Sequence, residues 1–119
     1  MDAAEALTRL QDVSSQVEAA VILDRGGDVI ASTIGDEERA RRVARSGLSL
    51  LHEGERRGEA LAQLEVALPE GSVFVVVHGE RLIAATTAPE PTVGLVFYDL
   101  KSCLRDLDRE PEPAAEGGE

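Results

Sequence analysis

The side chains that could do chemistry are few and scattered: the triplet His78-Gly79-Glu80, the pair His52-Glu53, the acids Asp24 and Asp28, the lone Cys103, and arginines at 39, 41, 42 and 45. His78-Gly79-Glu80 matches the His-x-Glu half of a zinc deaminase signature, but the Pro-Cys-x-x-Cys half that completes the metal cage is missing. Followed by Arg81, the triplet reads as a hairpin turn. His52 beside Glu53 could move protons, yet no G-x-S-x-G nucleophile accompanies it. Gly47-Leu48-Ser49 lacks the final glycine and falls within a predicted helix, so the pair reads as solvated helix surface. Asp24 and Asp28 flank Gly26-Gly27 without the spacing of a Ca²⁺ loop and read as turn residues. A single cysteine excludes an internal disulfide and a thiolate cage, and Cys103 falls in an apolar stripe that favours an inert buried thiol over a redox sensor. No catalytic residue, cofactor or metal is expected, and the chain is not expected to be an enzyme.

The arginines leave two readings open. From Asp36 to Gly58 there are six bases and five acids, within a chain of net charge −11. Either Arg39, Arg41, Arg42 and Arg45 pair at i to i+4 spacing with Glu37, Glu38 and Glu53 on a solvated face, or Arg41, Arg42 and Arg45 are offered to a protein partner. The acidic balance argues against a nucleic-acid partner, whose phosphates need Lys and Arg. Only Phe74, Phe97 and Tyr98 are aromatic, too few for a base-stacking platform. No apolar run approaches the roughly 20 residues that span a bilayer, and the N-terminal residues lack a signal-peptide pattern, so no membrane partner is expected and a cytoplasmic location is.

These residues must be positioned by the elements around them. The 119 residues, 43% of them hydrophobic and 29% charged, suit one domain over 1–108. The acidic end, 109–119, has nothing apolar beyond two alanines and is expected to be a disordered tail. Apolar spacing predicts a helix from Ala3 to Val17, with Ala3, Ala6, Leu7, Leu10, Val13 and Val17 on one side. Two β-branched runs, 19–24 and 28–33, make a hairpin about Arg25-Gly26-Gly27. Asp36 can cap a helix running to about Arg57. On that helix Ala40, Val43, Ala44, Gly47, Leu48, Leu50 and Leu51 cover an arc of about 160° at about 100° per residue. That is wider than one packed face needs and implies two neighbours.

Runs at 60–68, 72–77 and 82–87 make a three-stranded meander. Val73–Val77 is apolar on both sides, so the sheet is expected to be covered on both faces. The 60–68 run alternates, Gln63 and Glu65 on one side and Ala62, Leu64, Val66 and Leu68 on the other, as an edge strand does. Pro89-Glu90-Pro91-Thr92 opens a last helix whose stripe holds Val93, Val96, Phe97, Leu100, Cys103, Leu104 and Leu107. The order helix, two strands, helix, three strands, helix predicts an α/β (α+β) three-layer α-β-α sandwich with a five-stranded antiparallel sheet. The connecting helix lies on one face and the terminal helices on the other.

In this order, the opening helix with Leu7 and Leu10, the run VEAAVILDRGGDVIAS, the stretch LAQLEVAL, the hairpin VFVVVHGERLIAATT and the closing helix TVGLVFYDLKSCLRDL resemble the roadblock/dynein-light-chain (MglB-like) family over Ala4 to Leu107. The resemblance implies a homodimer or heterodimer in which the middle helices pack together and the third strands pair into one ten-stranded sheet. It also implies a scaffold or regulator of a small Ras-like GTPase. The chain itself has no P-loop: nothing matches G-x-x-x-x-G-K-[ST], and Gly26-Gly27 leads into a strand. On this reading Ala40, Val43, Ala44, Gly47, Leu48, Leu51, Gln63 and Glu65 form the dimer interface, Gly47 letting two helix backbones approach. Leu48→Asp is expected to break the dimer. The alternative function is a small-molecule-sensing or accessory structural domain with no GTPase partner.

Overall fold

The structure, a computed structural model, describes residues 2–56, 58 and 62–108. The first helix, α1 (Ala3–Val13), is started by a capping box: the Asp2 carboxylate accepts the Glu5 N–H at 2.8 Å, and Glu5 Oε1 accepts the Asp2 N–H at 3.2 Å. It buries Ala3, Ala6, Leu7 and Leu10. The helix stops four residues short of Val17. Ser14 Oγ accepts the Gln16 and Val17 N–H groups, a local alternative to helical bonding, and β-branched Val17 opens the first strand opposite Thr87. Val13, expected on the inner side, is consequently exposed.

The first hairpin joins β1 (Val17–Asp24) to β2 (Val29–Ser32). Asp24 Oδ1 accepts the Gly26 and Asp28 N–H groups at 2.9 and 3.0 Å, and Gly27 takes a φ of +95°. Asp36 caps α2 (Glu37–Glu55) through the Glu38 and Arg39 amides. The meander is β3 (Gln63–Leu68), β4 (Gly71–His78) and β5 (Arg81–Thr87), followed by α3 (Val93–Asp108). The expected ends at Arg57 and Ala60, and the tail 109–119, lie outside the described residues. Gly71 joins β3 to β4 with φ +152°, and an added Cβ there would collide with the Thr87 carbonyl. His78 pairs with Arg81 across the β4–β5 turn, whose first central residue, Gly79, has φ +64°.

The sheet order is β2-β1-β5-β4-β3, every neighbouring pair antiparallel. The fold is the expected α+β sandwich. One core, between the sheet and α1 and α3, holds Leu10, Ile22, Phe74, Ile83, Leu100 and Leu104, with Phe97 edge-on to Phe74 at 5.0 Å. A second, smaller core between the sheet and α2 holds Val21, Leu23, Val75 and Leu82 with Ala40, Ala44 and Leu51. Val93 differs from expectation: it is the first residue of α3 and is exposed, so the buried stripe begins at Val96.

Candidate interaction surface

The wide apolar arc of α2 divides into a buried centre and two half-buried flanks. Ala40, Ala44, Gly47 and Leu51 are buried within the subunit. An added Cβ on Gly47 would lie 2.8 Å from Ala84 Cβ and 3.6 Å from Val75 Cγ2, so its missing side chain brings α2 down onto β5 and β4 of its own sheet. These four residues therefore belong to the inner packing, and the reading of Gly47 as a helix-to-helix contact is corrected. Leu48 sits on one flank, where its Cδ2 lies 3.4 Å from the position of a Cβ on Gly27 in the β1–β2 turn. At about 100° per residue, Val43 and Leu50 fall on the opposite flank, toward β4 and β3. Both are half-buried.

That second flank continues onto the sheet. Leu64 pairs with Val75 and packs on the α2-side core, so Leu64, Val66 and Leu68 share that face with Val73. Leu64, Val66 and Val73 are half-buried, and Leu68 is 46% exposed. Gln63 and Glu65 point to the other face; Gln63 is exposed, and Glu65 accepts the Ser72 hydroxyl at 3.2 Å. β3 is an edge strand whose outer backbone row has no strand beside it among the described residues. The result is an L-shaped apolar surface, one wall the Val43 and Leu50 flank and the other the α2 side of β3. Gln63 and Glu65, expected at an interface, thus lie on the other face of the same edge strand, and the apolar half of the same alternation, with Val73 of β4, adds Val66 and Leu68 to this surface.

Arg41, Arg42 and Arg45 lie together on the outward side of α2, all exposed, and none of them or Arg39 makes an ion pair among the described residues. The expected pairing with Glu37, Glu38 and Glu53 is not formed; Glu53 pairs with Arg56 at 3.4 Å instead. The row is therefore an uncompensated positive strip on an acidic protein.

The other candidates are not brought together. His52 is exposed on α2, His78 and Glu80 stand at the β4–β5 turn, and Asp24 is occupied by turn amides. Among the described residues no cluster of three His, Cys, Asp or Glu could hold a metal, and no helix is long and apolar enough to cross a membrane. Cys103 Sγ donates to the Ala6 carbonyl at 3.5 Å, and burial, with Asp106 nearby, pushes its thiol up to about 12. One buried acid escaped the sequence analysis. Asp99 faces α1, where burial raises its carboxyl above the ordinary range and a hydrogen bond with Ser14 partly offsets that. It lines an open cleft of about 400 Å³ between α1 and α3, with Arg9, Tyr98 and Asp106.

No protein-family model matches the chain, and no curated protein does. Solved structures match along nearly its full length. A roadblock/LC7 domain from Streptomyces avermitilis superposes with a TM-score of 0.81 at 18% identity, over 91% of this chain and 96% of that one. MglB from Myxococcus xanthus gives 0.69 at 16%, over 88% and 84%. An MglB with a tetrameric arrangement gives 0.68 at 19%, over 90% and 85%. At such identities the likeness is one of fold, and the fold is that of roadblock/LC7 domains and MglB.

Proposed function

We propose that this chain, having the roadblock/LC7 fold, is a non-catalytic scaffold or regulator that dimerises through α2 and β3 and presents the arginines of α2 to a small Ras-like GTPase. The observation that carries this reading is the L-shaped apolar surface. Val43, Leu50, Leu64, Val66, Leu68 and Val73 are left half-buried or exposed on one contiguous face, flanked by an edge strand with no strand on its outer side among the described residues. A second copy would complete both walls at once, adding a strand at β3 and a helix against α2. That one MglB of the same fold is described in a tetrameric arrangement supports self-assembly.

The GTPase half rests on the family resemblance and on Arg41, Arg42 and Arg45, which remain outward when the apolar face is covered. Unpaired guanidiniums can engage acidic side chains in bidentate pairs and steer association. Size-exclusion chromatography with light scattering should give twice the 12.7 kDa chain mass; a monomer at micromolar concentration would overturn the dimer. Pulldown of P-loop GTPases should weaken for Arg42→Glu while its dimer mass stays unchanged. Equal recovery by both proteins would remove the arginine strip from the reading.

A further inference from the structure

β3 can meet a second β3 in only a few ways, because its backbone is already half committed. The Val77 N–H donates to the Ala62 carbonyl at 2.8 Å, and β3 then pairs with β4 from Gln63↔Val76 to Leu68↔Gly71 without a slip. Bonded and non-bonded pairs alternate along an antiparallel ladder. Ala62, Leu64, Val66 and Leu68 therefore spend their backbone groups on β4, and Gln63, Glu65 and Ala67 turn theirs outward. Only these three can bond a new strand. A two-fold pairing that forms two bonded pairs within the strand, or sets one at its centre with another on each side, is then centred on Leu64, Glu65 or Val66. A centre at Ala67 keeps only the Ala67 pair and sets Glu65 against Pro69, which has no N–H to give, whereas a centre at Val66 meets Pro69 only with Gln63, outside its two Glu65–Ala67 pairs.

Charge and burial separate the three. Centring on Glu65 sets two carboxylates directly opposite each other, an arrangement that weakens a sheet. Centring on Leu64 places Val66 against the exposed Ala62 and carries Leu68 beyond the strand 63–68 of its mate. Centring on Val66 sets Val66 against Val66 and each Leu64 against Leu68 of the other copy, all on the α2 side, where Leu68 is otherwise 46% exposed. Glu65 then faces Ala67, and the two acids are kept apart.

We infer that two copies of this chain join β3 to β3 in the register centred on Val66, with Glu65 of each opposite Ala67 of the other. This deepens the dimer reading above and depends on it. A consequence is selectivity: a related chain carrying an acid at the position of Ala67 would bring it against Glu65 and be disfavoured as a partner.

The register is read by symmetric cysteine cross-linking under mild oxidation, using Val66→Cys, Leu64→Cys and Glu65→Cys in the full chain, with Cys103 buried out of reach. Facing residues of a non-bonded pair lie about 4.5 Å apart at Cα, within disulfide range. In the inferred register the two Leu64 positions are four residues out of step, about 14 Å at about 3.4 Å per residue. Val66→Cys should give a covalent dimer, and Leu64→Cys and Glu65→Cys should not. Preferential cross-linking of Leu64→Cys or Glu65→Cys would overturn the register while leaving the dimer standing. A dimer by light scattering that none of the three cross-links would overturn strand pairing, and a monomer would remove the dimer itself. As a second readout that needs no oxidation, Ala67→Lys should tighten the dimer several-fold and Ala67→Glu loosen it several-fold; equal affinities would contradict Glu65 as its neighbour.

Discussion

The two edges of the sheet are finished in opposite ways. β2 has four residues, its register with β1 slips between Ile22 and Leu23, and it packs against both α1 and α2. Its end is tied down by Thr33, whose hydroxyl accepts the Ala20 N–H at 3.0 Å while its own N–H donates to the Ala20 carbonyl at 2.9 Å. β3 has six residues in unbroken register and an apolar α2 side only half covered. Shortness, a bulge and flanking helices are the devices by which proteins keep an edge from recruiting strands. One edge uses all of them and the other uses none, which supports the proposal that β3 is the edge that receives a partner.

The largest effect that would break this contrast is a charge at the centre of the open edge. Val66→Lys should convert the dimer to monomer in light scattering, because the buried ammonium enters twice in a two-fold interface at a cost on the order of 2 kcal/mol per subunit. A dimer that survives would mean β3 is not the mating edge. Gly71→Ala attacks the support of the same edge from within. Its Cβ would collide with the Thr87 carbonyl at a backbone angle that favours glycine, so thermal or urea unfolding should show a loss of about 3 kcal/mol. Unchanged stability would show that the β3–β4 turn can relax. Leu48→Asp sharpens the contrast from the β2 side. Leu48 packs against the α2-side core near Gly27, so the substitution should cost about 2 kcal/mol of subunit stability yet leave the folded protein dimeric. A folded monomer would return Leu48 to the interface.

Much of this organisation is legible in the residues. Asp36 announces a helix start, glycines at 27, 71 and 79 mark the hairpins, and the element order leads to one five-stranded sheet. What periodicity cannot resolve is which part of a wide apolar arc faces home and which faces away. Both flanks and the centre of α2 are apolar, and only the placement of Gly47 over Ala84 shows that the small residues go to the subunit's own sheet, where the helix must lie closest. Edge strands pose the same ambiguity. Polar Gln63 and Glu65 mark β3 as an edge, but the apolar residues between them carry the uncovered area. Asp99 was hidden for another reason: its burial depends on α1 crossing α3, a long-range contact with no local periodic signature.

The smallest effect tests the protected edge. Ile30 stands at the slip in β2, between the pairs Ile22↔Ala31 and Leu23↔Val29, and is 44% exposed. It resembles Leu68 in size and exposure, so exposure alone would rank the two alike. Its surroundings differ: the slip leaves it unpaired, and the strand beside it is too short and too enclosed to extend the sheet. Ile30→Lys should therefore change stability by no more than about 0.5 kcal/mol and leave the dimer mass and affinity as they were. Leu68→Lys, at nearly equal exposure, should weaken dimerisation measurably in sedimentation. If Ile30→Lys were the variant that dissociated, β2 would be the mating edge, and the bulge and flanking helices would have to be read as parts of an interface.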